Sequence, residues 1–152
     1  MRTDKDAAEN LYFRGFNVVS NNLKIKVSAF MMDCKDQLAL AKFYADLLAW
    51  EIVFSDKEYA VVAPPKTPRG AYPAISFQRN PEYEPPVWPA KAEAQQQMAH
   101  IDFVVNNLEK AVQHAINCGA VIADTQFSEI WRVMLDPAGH PFCLVKMQSY
   151  HE

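Results

Sequence analysis

The feature that most constrains the fold of this chain is an internal repeat with a shift of 71 residues. Each copy predicts one strand, one helix and then three further strands. Asp36 caps the helix of the first copy and Asn107 caps the helix of the second, which Gly119 ends. Each helix carries an apolar stripe: Leu40, Phe43, Tyr44, Leu47 and Leu48 in the first, Leu108, Ala111, Val112, Ala115 and Ile116 in the second. A repeat of this length indicates an architecture more firmly than any single motif.

Period-two alternation and turn signals place the strands of both copies. The predicted strands of the first copy are Leu23–Met31, 51–55, 58–63 and 72–79. Those of the second copy are 98–105, Val121–Gln126, 130–135 and 141–147. We therefore expect a first β-α-β-β-β module at 23–79, a Pro-rich connector at 80–97 and a second module at 98–147, together forming one α+β domain.

The composition excludes several classes of protein. The chain has 152 residues, half of them apolar, and a net charge of −3, so it has no basic surface for nucleic acid. No apolar run approaches the roughly 20 residues that a membrane helix needs. Its three cysteines, Cys34, Cys118 and Cys143, fit neither a zinc motif nor a disulfide framework. We expect a cytoplasmic protein.

The first fifteen residues are set apart from the rest. Glu9–Gly15 differs at one position from a common engineered protease site, with Arg14 in place of glutamine. Residues 1–15 are therefore predicted to be an expression-tag remnant with no part in the fold.

Two motifs carry a resemblance to a known family. The segment Val133–Val145 reads as a hairpin, in which Asp136, Pro137 and Gly139 build a tight turn. Phe43–Glu51 matches a helix-end signature in which Ala49 replaces the usual glycine. The segments Phe77–Arg79, Pro86–Pro89 and His100–Asp102 add to the match.

On these motifs, residues 23–147 resemble the vicinal-oxygen-chelate superfamily, also known as the glyoxalase, bleomycin-resistance and extradiol-dioxygenase superfamily. Within it, they resemble the glyoxalase-like domain branch. The resemblance implies two tandem β-α-β-β-β modules with concave half-barrel sheets and the helices outside. It also implies a homodimer, since similar chains complete their cups across a two-fold axis.

The resemblance further implies a place for metal ligands, on the first and fourth strands of each module. His100 fits the first strand of the second module, whereas its repeat partner Ala29 has no donor atom. Gln78 and Cys143 stand at the fourth-strand positions, where a carboxylate is usual. We therefore expect no cofactor and an incomplete metal site; if a divalent metal binds, the ligands would be Gln78, His100 and Cys143.

The remaining signals favour a small-molecule-binding protein with an apolar, aromatic cup and an aromatic or planar ligand. No catalytic residue is identified, and His140 is interpreted as a surface-loop residue that could overhang the cup. Two alternatives stay open: an enzyme, either a metal-dependent lyase or dioxygenase or one with His100 as a metal-free general base, and a protein-interaction module with a vestigial cup. The predicted ligand-binding residues are Trp50, Gln78, Trp88, His100, Asp102, Trp131 and Cys143.

Overall fold

Two helices and ten strands make up the fold in the computed structural model, which describes residues 17–20, 23–68 and 73–147. The first part contains β1 (Asn17–Ser20), β2 (Leu23–Ile25), β3 (Ala29–Cys34), α1 (Gln37–Leu48), β4 (Glu51–Ser55), β5 (Tyr59–Ala63) and β6 (Ala74–Arg79). The second part contains β7 (Ile101–Val105), α2 (Leu108–Cys118), β8 (Val121–Ile122), β9 (Trp131–Leu135) and β10 (Pro141–Lys146). Neither described helix is long and apolar enough to cross a membrane.

Eight of the ten described strands form two four-stranded sheets of the same design, and β1 and β2 form a separate two-stranded sheet. The first has the order β3-β6-β5-β4 and the second β7-β10-β9-β8. In each sheet the first and last strands of the module are parallel neighbours, and the other pairs are antiparallel. The fold class is therefore confirmed as α+β with two β-α-β-β-β modules. The sheets are open and do not close into barrels.

Both helices begin at the capping residues that the sequence predicts. The Asp36 side chain accepts a hydrogen bond from the Ala39 N–H, and Asn107 accepts one from the Lys110 N–H, both at 2.9 Å. These bonds satisfy donors that the first helical turn leaves free. At the C-terminus of α1, Ala49 adopts φ 52°, a left-handed conformation that favours glycine. The alanine therefore holds a backbone conformation that suits glycine better, at a conformational cost.

One core joins the two modules between the helices and the inner faces of the sheets. Tyr44 on α1 stacks on Phe77 of the first sheet, with ring centroids 5.4 Å apart. The same ring contacts Phe103 and Phe142 of the second sheet, each at 6.4 Å. Aromatic pairs at these separations are attractive beyond the area they bury. Tyr44 thus ties the first helix to both sheets.

The predicted strand Leu23–Met31 is wrong in its extent. Leu23–Ile25 pairs with β1, whereas Ala29–Cys34 pairs with β6, so residues 26–28 separate two strands with different partners. The alternation of apolar and polar residues runs unbroken through this junction. A pattern of this kind reports which way side chains point and not which strand lies alongside.

The predicted strand Val121–Gln126 is also too long, since β8 ends at Ile122. The side chain of Gln126 explains the early end. Its Nε2 donates to the Val133 and Ala123 carbonyl oxygens at 2.8 and 2.9 Å, and its Oε1 accepts from the Val133 N–H at 2.9 Å. The carboxamide therefore stands between the Val133 N–H and the Ala123 carbonyl oxygen, which a longer strand would have joined, while the Ala123 N–H still donates to the Val133 carbonyl oxygen at 3.1 Å.

Some sequence predictions lie outside the described residues. These are the tag remnant at residues 1–15, Gly70 in the predicted break and Tyr72 at the predicted start of the fourth strand. The module boundaries themselves stay a proposal.

We predict that Tyr44→Phe destabilises the fold. The hydroxyl donates to Asp136 Oδ2 at 2.9 Å, and the Asp136 side chain is fully buried. Losing this donor leaves a buried carboxylate less well satisfied, at a cost of about 1–3 kcal/mol in the free energy of unfolding. Urea denaturation measures the change. Tyr59→Phe on the surface of β5 is the control and should change stability by less than about 0.5 kcal/mol; equal stability of both variants would contradict the prediction.

Candidate functional site

Three polar side chains meet on the face of the second sheet that points away from the helices, here called the open face. Phe142 and Leu144 of β10 are buried in the core, so Cys143 between them faces the other way. Asp102 lies directly beside Cys143 in the parallel register of β7 and β10. His100 precedes β7 by one residue and is two positions from Asp102.

These three groups form a compact donor cluster. His100 Nε2 lies 3.3 Å from Asp102 Oδ1, and one donor atom from each of His100, Asp102 and Cys143 lies within 4.8 Å of the others. The His100 and Asp102 side chains are almost half exposed, whereas Cys143 is partly buried. The cluster is therefore open to solvent from one side.

The environment of Cys143 keeps its thiol protonated. Burial raises the pKa of this thiol to about 11, and the charge and hydrogen bonding of Asp102 contribute in the same direction. Both effects disfavour the thiolate. Because the thiol stays protonated, Cys143 is a poor nucleophile at neutral pH.

A cavity of about 320 Å³ lies between the two sheets and the connector. Its size falls within the range of small-molecule sites. β3 and the connector supply most of its walls, and the residues around β7 and the last hairpin complete it. The lining residues are Phe30, Met31, Met32, Asp33, Tyr44, Tyr83, Glu84, Pro86, 95–97, Met98, Ala99, His100, Ile101, His140 and Pro141. We call this space the seam cavity.

A buried carboxylate supports one wall of the seam cavity. Asp136 Oδ1 accepts from the backbone N–H groups of Ala138 and His140 at 2.9 Å, as the predicted turn requires. Asp136 Oδ2 accepts from the Tyr44 hydroxyl and contacts His140 Nδ1, each at 2.9 Å. Three hydrogen-bond donors and the His140 ring thus surround a carboxylate whose side chain is fully buried. Such a group fixes its neighbours tightly.

Tyr83 continues this network from the connector. Its hydroxyl lies 2.9 Å from the Ala138 carbonyl oxygen and 3.1 Å from His140 Nε2. Pro85 packs against Gly139, where a Cβ would approach it to 2.8 Å, and Gly139 has φ 89°. The glycine is needed both for the turn and for the close approach of the connector.

The structure separates the predicted site residues into groups. His100, Asp102 and Cys143 come together, and of the seven predicted residues His100 lines the seam cavity. Gln78 lies on β6 in the first sheet, in register with Asp33 and Tyr59.

The three tryptophans do not line the seam cavity. Trp50 packs on the core after α1, and Trp131 pairs with Val145 on the second sheet. Trp88 contacts Phe127 edge-on at 6.2 Å, and its Nε1 is buried with no hydrogen-bond partner in the described part of the chain. Their proposed role in ligand binding therefore concerns surfaces beyond this cavity.

Sequence reasoning did not identify the Tyr83–His140–Asp136 network as part of a site. His140 was expected in a surface loop, yet its side chain is only 18% exposed. The available signal was the pairing of an acid and a histidine four residues apart on one tight turn. Tyr83, 57 positions from His140, gave no local signal.

Comparison with known proteins identifies the family. The model of the glyoxalase-like domain family matches residues 29–145, so the chain belongs to this family. No curated protein sequence matches the chain.

Solved structures share the fold at low sequence identity. A glyoxalase/bleomycin resistance protein/dioxygenase family enzyme from Burkholderia phytofirmans is 15% identical, with TM-score 0.57, covering 80% of this chain and 98% of its own. A trypanothione-dependent glyoxalase I from Leishmania major has the same identity and TM-score, covering 82% and 88%. A glyoxalase family protein from Enterococcus faecalis is 13% identical, with TM-score 0.57, covering 79% and 96%.

The donor cluster fits a divalent metal in part. Imidazole, carboxylate and thiol are all zinc ligands, and three protein ligands with one open position is a catalytic arrangement. Asp102 replaces Gln78 in the set that the sequence suggested. Among the described histidines, cysteines and acidic residues, none from the first sheet joins this cluster, and Ala29, the repeat partner of His100, has no donor atom. The residues therefore suit a metal held by the second sheet alone and not the four-ligand site of the superfamily's metal enzymes.

We predict that alkylation of Cys143 is slow at pH 8 and accelerates as the pH rises towards 11. Asp102→Asn removes a negative charge, which lowers the thiol pKa and should speed the reaction at pH 8 several-fold. Iodoacetamide labelling read by peptide mass spectrometry measures each cysteine separately. Glu109→Gln on α2 is the control. An unchanged rate in Asp102→Asn would contradict the assigned cause.

Proposed function

We propose that the protein binds a small aromatic or planar molecule in the seam cavity, with His100 as a polar contact at its edge. The observation that carries this proposal is the cavity itself, which combines apolar walls with a few convergent polar groups. Phe30, Met32 and Ile101 supply apolar surface. His140 and Tyr83 are held in place by the buried Asp136.

The ligand can extend from the cavity onto the open face. His100 belongs to both regions, because it lines the cavity and contacts Asp102 beside Cys143. Gln78 and the three tryptophans stay predicted contacts for the part of a larger ligand that reaches beyond the cavity. The three cysteines are free thiols, which supports the prediction of a cytoplasmic location.

We predict that His100→Gln weakens ligand binding by roughly 5–150-fold, the range for losing one buried hydrogen bond. Ligand-observed NMR with a library of small aromatic metabolites and antibiotics identifies a binder, and calorimetry measures its affinity. His114→Gln on α2 is the control, since His114 lies outside the cavity and contacts the Leu47 carbonyl oxygen. Equal affinity in wild type and both variants would place the site elsewhere.

A metal-dependent lyase or dioxygenase is the second candidate, and the donor cluster favours it. The structurally similar proteins include a trypanothione-dependent glyoxalase I and a lactoylglutathione lyase. A bound divalent ion would supply a Lewis acid. His100, Asp102 and Cys143 would hold it, and the thiol would have to lose its proton first.

A metal titration distinguishes the two candidate functions. Because Cys143 must release a proton, Zn²⁺ affinity should increase with pH between 6 and 9 if the cluster is a metal site. Calorimetry on metal-free protein lacking any histidine tag measures the affinity, with Cys143→Ser and Asp102→Asn as test variants. Our first proposal expects no tight stoichiometric binding. Binding at a 1:1 ratio that both variants abolish would favour the second candidate.

We propose in addition that the protein is a homodimer. The outer strands β4 and β8 end the two sheets, and Val53, Phe54 and Val121 on them are exposed. Exposed sheet edges and apolar patches of this kind are usually covered.

Light scattering tests the dimer. The expected mass is twice 17.3 kDa, or about 35 kDa. Val53→Glu together with Phe54→Glu should shift the protein towards the monomer. Leu38→Glu, at an exposed position of α1, is the control and should leave the mass unchanged. A monomer mass for the wild type at micromolar concentration would overturn the proposal.

A further inference from the structure

The charged groups of the seam cavity are biased towards acids. Asp33 and Glu84 contribute two carboxylates, and none of the described lining residues is lysine or arginine. The two histidines, His100 and His140, each contact a carboxylate outside the lining, at 3.3 Å for Asp102 and 2.9 Å for Asp136. The histidines therefore do not offset the acidic pair.

Three side chains that line the cavity, Tyr44, Tyr83 and His140, already use their hydrogen-bonding groups within the protein. The Tyr44 hydroxyl donates to Asp136, and the single hydroxyl hydrogen of Tyr83 serves the Ala138 carbonyl oxygen or His140 Nε2. His140 Nδ1 faces Asp136. These three side chains therefore have few free N–H or O–H groups to offer a bound molecule.

Gln97 provides a further hydrogen-bond acceptor to the cavity. Its Oε1 atom is buried and has no hydrogen-bond partner within the described residues, and Gln97 lines the cavity. A buried carbonyl oxygen without a partner is costly, so a donor from a bound molecule would be favourable there.

The walls suit an apolar molecule that carries a positive charge. Phe30 and Tyr83 provide aromatic rings, and Met31 and Met32 provide polarizable thioethers. Aromatic rings attract cations through their negative faces, and the attraction grows where water is excluded.

We infer that the seam cavity selects an organic cation, a molecule with an aromatic or apolar body and a protonated amine. This inference rests on the proposed function and specifies the ligand class. The ammonium group lies near Asp33 and Glu84 and donates to them, while the body packs on Phe30 and the methionines. The negative field is also felt by Tyr83: burial raises the pKa of its hydroxyl, and the charges of Asp136 and Asp33 raise it further.

Three probes with the same phenyl body separate charge from shape: 2-phenylethylamine, 2-phenylethanol and phenylacetate. At pH 7 the first is a cation, the second neutral and the third an anion. Calorimetry with the full chain at low salt should show the amine binding about tenfold more tightly than the alcohol, with phenylacetate weakest. Added salt should reduce the preference.

A double substitution tests whether Asp33 and Glu84 bind the ammonium group. Asp33→Asn combined with Glu84→Gln should lower the affinity for the amine about tenfold and leave the affinity for the alcohol unchanged. Glu82→Gln is the matched control, because this exposed acid lies two residues from Glu84 and does not line the cavity. Circular dichroism establishes that each variant is folded.

The outcomes distinguish this inference from the function on which it rests. If the alcohol binds as tightly as the amine, or phenylacetate binds best, the cavity is a small-molecule site and the inference of a cation is wrong. If the double variant binds the amine like the wild type, the carboxylates do not select it and the inference again fails. If none of the three probes binds at millimolar concentration, the inference is wrong, and the NMR screen with the aromatic library tests the proposed function separately.

Discussion

The buried carboxylate of Asp136 is the interaction on which most of the structure depends. It closes the turn between β9 and β10 through two backbone N–H groups. It also accepts a hydrogen bond from the hydroxyl of Tyr44, which lies on α1, 92 positions earlier in the chain. One side chain therefore couples the hairpin of the second module to the helix of the first. Because a buried charge needs every one of its partners, this coupling sets the relative position of the two sheets.

The position of the sheets in turn determines where chemistry can occur. The seam cavity lies where β3, the connector and the start of β7 approach each other, and the donor cluster lies beside it on the open face. His100 is shared by both regions. The fold therefore offers two adjacent environments, a partly open cavity with apolar walls and a solvent-exposed cluster of polar side chains. Members of one superfamily can differ in which of the two they use without any change in architecture.

Local chemistry explains what could be predicted from the sequence. The helix caps at Asp36 and Asn107 and the hairpin at Asp136 depend on residues a few positions apart. Alternation also placed Asp102 and Cys143 on one face, and the register of β7 with β10 brought them together. Contacts between distant residues could not be read in this way. Pairing partners decided the end of β2, a side-chain carboxamide decided the end of β8, and Tyr83 reaches His140 only through the path of the connector.

The carboxamide of Gln126 has a consequence for how copies of this chain meet. Free backbone groups along a strand are templates on which another strand can assemble, and this is the usual start of uncontrolled aggregation. Gln126 occupies both backbone groups of Val133, so β9 beyond β8 offers no template there. A side-chain amide cannot continue a ladder of backbone hydrogen bonds, whereas another strand can. The second sheet is thereby capped at Val133 by a side chain, directly beside the two residues of β8.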